Sequence, residues 1–299
     1  MTWFTSDRPG NSAGVGWQAA GQALGIARLV HPFPSLLDAA VTAGLVRLAG
    51  SGWDRAALLG LAMFGLQASI GTLNDLVDIG RDRGHKPGKP LPRGLVPIPA
   101  ARAIAAGGLL LGLALSFAVR PILVVIAVAG VATGYVYDLR LKASRWSWLP
   151  FTIGIPLLPV YAWLGATGRL PAAFLVLVPL AVMGGAALAL ANELADDERD
   201  RGAGVETSVG ALGRARAWRL GAGLQALVAV VAAGSLIVGG APLLALGAAD
   251  GAIAVTMIGL ALGRSRLPGS RERGWEIQAI GLGALGVAWL AGIASRGLV

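Results

Sequence analysis

Two short stretches carry most of the chain's chemistry. Residues 74–82 read NDLVDIGRD and residues 192–200 read NELADDERD, and each follows directly on an apolar run. Both fit N-[DE]-L-x-D-x-x-x-D-R-G. On a helix, Asn74, Asp78 and Asp82 fall at i, i+4 and i+8 and form one stripe, with Asp75 beside it; Asn192, Asp196 and Asp200 form the same stripe, with Glu193 beside it. Like charges four apart destabilise a helix by about 0.2–0.5 kcal/mol per pair, so something must offset the repulsion. One reading is a solvated helix end neutralised by Arg81, Arg83, Arg199 and Arg201. The other is a divalent cation, and carboxylate and amide oxygens select Mg²⁺ or a relative such as Mn²⁺. Repetition of the pattern at the ends of two apolar runs favours the cation.

Mg²⁺ typically joins one or two carboxylates to the phosphates of a substrate rather than filling an all-protein cage. Arg and Lys crowd in behind the first box, and such cations bind the phosphate oxygens that metals leave free. Between apolar helices, this equipment points to a diphosphate on a lipid tail. The chemistry it favours is departure of diphosphate from an allylic carbon, with metal ions acting on the leaving group and a dry pocket shielding the cation from water.

The elements that must position these groups are membrane helices. Hydrophobic residues make up 55% of the 299 and charged residues 14%, where a soluble domain carries about 25%. Nine apolar segments approach the ~20 residues needed to span a bilayer: 31–49, 56–79, 98–118, 121–138, 148–166, 171–192, 216–238, 242–263 and 275–295. The fold class expected is all-α, a polytopic bundle of nine transmembrane helices, with 28–299 as one domain behind an N-terminal arm at 1–27. All but five of the 25 Lys and Arg residues (Arg47, Arg55, Arg120, Arg169 and Arg296) fall on one side of this topology, which makes that side, with the N-terminus and both boxes, cytoplasmic and the C-terminus external. The basic pI of 11.1 follows from those loops, so nucleic acid is not expected as a partner. With no cysteine a thiolate metal centre is excluded, and with only His31 and His85 a histidine-built centre is not expected.

At these residues the chain resembles the UbiA superfamily of intramembrane prenyltransferases. Asn74, Asp75, Asp78 and Asp82 match its first signature, NDxxDxxxD. Lys89-Pro90-Leu91-Pro92-Arg93-Gly94 matches the continuation R-P-L-P-x-G, with Lys89 in place of Arg. Asp196, Asp200, Gly204 and Thr207 match the second signature, preceded by Asn192, and Tyr137 with Lys142 matches a third, Tyr-then-Lys feature. The resemblance covers residues 28–296 and implies nine helices in two parallel repeats in a prokaryotic plasma membrane. It also implies Mg²⁺-dependent transfer of a prenyl chain from its diphosphate to an acceptor. By this resemblance Asn74, Asp78, Asp82, Asp196 and Asp200 are the metal ligands, with Asp75, Asp82 and Asn192 supporting the bound substrate. Lys142, Arg140, Lys89 and Arg93 approach the diphosphate, and Tyr137 faces the forming cation. An interfacial anchor is the alternative role for Tyr137. The acceptor and the oligomeric state have no signature here.

Three further readings come from the residues themselves. Asp38 and Asp250 are isolated acids inside apolar runs, and intramembrane acids default to function; Asp38 is expected to line an acceptor pocket. His85 stands beside the first box as a candidate proton acceptor. The Pro- and Gly-rich loop 84–94 has the composition of a lid over a charged ligand. Two competing functions share the acids: a cyclase that uses the same machinery without an acceptor, and a divalent-cation transporter. The transporter is disfavoured because both boxes lie at one border rather than near the midplane.

Overall fold

The computed structural model describes residues 12–83, 88–202 and 204–295, with the backbone alone for residues 12–20. Every regular element among them is helical. In chain order these are α1 (Ser12–Leu29), α2 (Pro32–Leu48), α3 (Trp53–Asp82), α4 (Ile98–Val119), α5 (Pro121–Val136), α6 (Leu149–Thr167), α7 (Phe174–Gly202), α8 (Ser208–Leu212), α9 (Arg214–Val238), α10 (Leu243–Gly263) and α11 (Pro268–Ala294). Helix α5 runs on as one π-helical turn, Tyr137–Leu141, closed by the Lys142 N–H donating to the Tyr137 carbonyl at 2.8 Å. Each of the nine apolar segments corresponds to a helix. Eight helices are long and apolar enough to cross a bilayer, and a ninth span arises if Gly21–Leu29 and α2, which meet at 56°, count as one. Leu110, Phe117, Val125, Val230 and Leu243 point outward from this bundle. The chain is an integral membrane protein.

Proline opens α2, α5 and α11, where the missing N–H breaks no helical bond. Inside the bundle, glycine lets backbones touch. A Cβ on Gly65 or Gly108 would lie 2.8 or 2.7 Å from the other's carbonyl oxygen, so α3 and α4 meet with no side chain between them. Gly259 and Gly274 do the same for α10 and α11, at 2.7 and 2.8 Å. In lipid, where apolar side chains gain little by leaving their surroundings, such close packing holds helices together.

Two helices are much longer than a membrane requires. At 1.5 Å per residue, the 30 residues of α3 and 29 of α7 reach roughly 45 Å, against a hydrocarbon core of about 30 Å. Their last turns therefore stand clear of the hydrocarbon, and those turns carry the acidic boxes. The segments 56–79 and 171–192 stop short of this: both helices continue unbroken through their boxes. Helix α11 also begins at Pro268 rather than 275, because Arg271 in its first turn is buried and bonded within the protein. Helix α1 runs across position 27, the expected end of the arm, while residues 1–11 lie outside the described residues.

Candidate active site

The rim at the ends of α3 and α7 is built from segments far apart in sequence. His31 occupies the α1–α2 bend with φ 50°, the sole non-glycine residue of positive φ among the described residues. Such a conformation costs about 1–3 kcal/mol and persists where the surroundings hold it. Its ring packs on the bare backbone of Gly71, where a Cβ would lie 2.8 Å away, and its Nε2 is 2.9 Å from Asp75 Oδ1. Lys89, in the loop after the first box, donates to the same carboxylate oxygen. That loop is tied down behind Lys89, since Leu91 is buried with Leu29, Val96 and Ala101. His85 and residues 84, 86 and 87 lie outside the described residues.

Along the first stripe, Asn74 Nδ2 donates to Asp138 Oδ1 at 2.7 Å. Asp78, buried, accepts from Lys142 and lies 3.5 Å from Arg81. Asp82 is buried one turn further on. The π-helical turn of α5 places Asp138 and Lys142 against this stripe, as π turns often do at functional sites. Tyr137 begins the same turn, with Phe151 edge-on at 5.8 Å.

The second box divides by helical phase. Asn192, Asp196 and Asp200 are half-buried on one face, with Arg199 paired to Asp196. Glu193 turns inward, accepting from Ser147 Oγ and from the Val209 N–H at 2.9 Å. Asp197 and Glu198 face away: Asp197 is 2.8 Å from Arg201 and 3.4 Å from Arg214, and Glu198 pairs with Arg214 and Arg271. Arg271 Nε also donates to the Leu194 carbonyl at 2.7 Å, so this second face binds α7 to α9 and α11. Asp138, His31 and Arg271 were missed as site or support residues by the sequence reading. The signal for Asp138 was present, as an acid directly after an apolar run. Arg93 and Arg140 are exposed and form no ion pair among the described residues, so neither is drawn to the acids here.

Among the described residues, no three Asp, Glu or His side chains form a ready-made metal cage. The donor set still suits a hard cation shared with a substrate. It consists of amide and carboxylate oxygens, and two buried carboxylate oxygens, Asp75 Oδ2 and Asp138 Oδ2, have no hydrogen-bond partner among the described residues. Below the rim an apolar cavity of about 150 Å³ lies between α2, α6, α7, α9 and α11. Leu188 in its wall is one turn before Asn192, and Asp38 is two turns past His31. Asp38 is the only charged side chain among the described residues lining it, and Gln67 Nε2 donates to it at 2.5 Å.

Solved structures share this architecture. A UbiA homolog from Archaeoglobus fulgidus bound to GPP and Mg²⁺ aligns with 89% of this chain and 99% of its own at TM-score 0.66 and 22% identity. An apo UbiA homolog from Aeropyrum pernix K1 aligns with 89% and 98% at TM-score 0.67 and 19% identity. A digeranylgeranylglyceryl phosphate synthase structure aligns with 92% and 99% at TM-score 0.66 and 18% identity. No curated protein sequence matches the chain. The family model of the UbiA prenyltransferase family matches residues 36–274, which take in both acidic boxes, the Lys89 loop and the Tyr137 turn, and the chain belongs to that family.

Proposed function

We propose that the chain is a membrane prenyltransferase that moves an isoprenyl group from an allylic diphosphate to a lipophilic or aromatic acceptor and releases diphosphate. The observation that carries this reading is an acid- and lysine-lined rim at the ends of α3 and α7, with an apolar cavity whose wall on α7 reaches Leu188, one turn before Asn192. The family supports the class of reaction, and the A. fulgidus homolog, bound to GPP and Mg²⁺, supports the ligands.

Asn74, Asp78, Asp82, Asp196 and Asp200 would hold Mg²⁺, with Asp75 and Asn192 supporting. When bound, the ion neutralises the diphosphate and makes it a better leaving group. Lys89 and Lys142 rest on Asp75 and Asp78 in this structure, and their flexible ammonium groups can turn to phosphate oxygens when an anion arrives. Arg93 and Arg140 would add to this field from the exposed rim, less directly than Lys89 and Lys142. The prenyl tail would lie in the cavity, which excludes water from the reacting carbon. Tyr137, at the start of the π-helical turn that packs on the first box, would present its ring to the developing positive charge. Asp38 would offer a carboxylate oxygen to a donor group on the acceptor, with Gln67 fixing its orientation. The rim would face the cytoplasm, as the basic residues indicate.

The test is to give purified protein in lipid nanodiscs allylic diphosphates of several lengths, with Mg²⁺, with and without a membrane lipid extract. Expected are diphosphate release that EDTA abolishes and a prenylated product formed only with extract. A hydrocarbon product without extract would favour the cyclase reading, and no release at any chain length would refute both.

A further inference from the structure

Asn74 presents an amide, whose two ends differ. Its oxygen can bind a hard cation, while its nitrogen carries two N–H donors and cannot. Something must therefore decide which end faces the site. Asp138 accepts from Asn74 Nδ2 at 2.7 Å, and an ionised carboxylate only accepts, so the reversed amide would set oxygen against oxygen. Asp138 is 6% exposed, and its Oδ2 is buried with no hydrogen-bond partner among the described residues. Four residues on, Lys142 donates to Asp78, one helical turn past Asn74. A carboxylate held in so dry a place beside Asp78 is a poor choice for mere packing, because an apolar side chain of similar volume there usually costs less.

We propose that Asp138 is a positioning residue for the cation site: through Oδ1 it turns the Asn74 amide so that its oxygen faces the ion, and through Oδ2 it accepts from a water on that ion. The inference rests on the proposed function, which makes Asn74 a ligand. Bound Mg²⁺ usually keeps several waters, each a donor needing an acceptor in the second layer. The π-helical turn carries Asp138 on α5 to Asn74 on α3, so the ligand's orientation is set by a helix that carries no acidic box.

The experiment measures binding of a non-hydrolysable geranyl thiolodiphosphate to the full chain in nanodiscs, titrating Mn²⁺ and reading the concentration at half-saturation. Loss of such second-layer partners typically weakens metal affinity about 10–100-fold, and Asp138→Ala is expected to raise the Mn²⁺ requirement by that factor. Asp138→Asn, whose amide oxygen still accepts from Asn74, is expected to lose less. The decisive arm is Asn74→Asp, because a carboxylate at 74 has no wrong end. In that background Asp138→Ala is expected to cost clearly less than in the unaltered chain, because only the water contact through Oδ2 is then lost. Thermal unfolding without ligand identifies any variant that is merely misfolded, and the Asn and double variants then carry the comparison. An unchanged Mn²⁺ requirement in Asp138→Ala, or an equal loss in both backgrounds, would overturn the inference. If the unaltered chain bound no analogue with any divalent cation, the proposed function itself would fall, and this inference with it.

Discussion

Asp75 and Glu193 hold equivalent places in the two boxes, and each grips the segment that follows its own helix. Asp75 takes Lys89, seven residues past the end of α3, and Glu193 takes the Val209 N–H in α8, behind α7. Each also receives a second group from elsewhere: His31 from the α1–α2 bend, and Ser147 from the turn before α6. A position 100° round the helix from the stripe faces protein rather than the open rim. Under the proposed function the stripe positions would take the ligands, while the neighbouring acid fixes the loop.

Glu193→Ala is therefore expected to act on stability. It leaves the buried Ser147 hydroxyl and Val209 N–H without their acceptor, at a cost of about 1–3 kcal/mol. The expected outcome is a lower unfolding temperature in detergent with a Mn²⁺ requirement close to that of the unaltered chain. A full loss of metal-dependent analogue binding in a variant of normal stability would place Glu193 among the ligands instead.

Asp78→Ala and Asp196→Ala remove one stripe residue from each box. Both are expected to cut Mg²⁺-dependent diphosphate release by at least about 100-fold, more than loss of a second-layer partner would, while leaving a folded, membrane-inserted chain. Near-normal rates in both variants would make the boxes structural helix ends neutralised by arginine.

The spans were readable because twenty apolar residues in a row have few alternatives in lipid, and the stripes because i, i+4, i+8 is a property of any helix. Partners were not. NELADDERD holds five acids, and its spacing alone does not reveal that Asp197 and Glu198 serve Arg214 and Arg271. Arg271 is 73 residues from Glu198 and looked like a loop residue of the topology signal; its burial is a fact of tertiary packing. Asp138 was passed over beside Tyr137 and Lys142 because its meaning depends on Asn74, 64 residues away. His31 likewise gains its role only when Gly71 brings it onto α3.

That contact makes Gly71 a sensitive position. A methyl group there would lie 2.8–2.9 Å from three atoms of the His31 side chain, so the ring or the helix must move. Gly71→Ala is expected to destabilise by about 1–3 kcal/mol, the usual range for overpacking. It should also weaken activity by loosening His31 from Asp75 and hence the Lys89 loop. Thermal unfolding together with the rate of diphosphate release checks this. A variant as stable and as active as the unaltered chain would show that the His31 contact is slack.

Orientation rests on the basic residues and is open to a direct test, because the chain has no cysteine of its own. Gly88, beside Lys89, and Ala211, in α8, are both exposed at the rim, so a cysteine at either disturbs little and can react. By the positive-inside rule both belong to the cytoplasmic face. A membrane-impermeant maleimide is expected to leave Gly88→Cys and Ala211→Cys unmodified in intact cells and to label both once the membrane is opened. Labelling of both in intact cells would put the acidic boxes outside and reverse the topology. It would also remove the cytoplasmic supply of diphosphate substrate that the proposed reaction draws on.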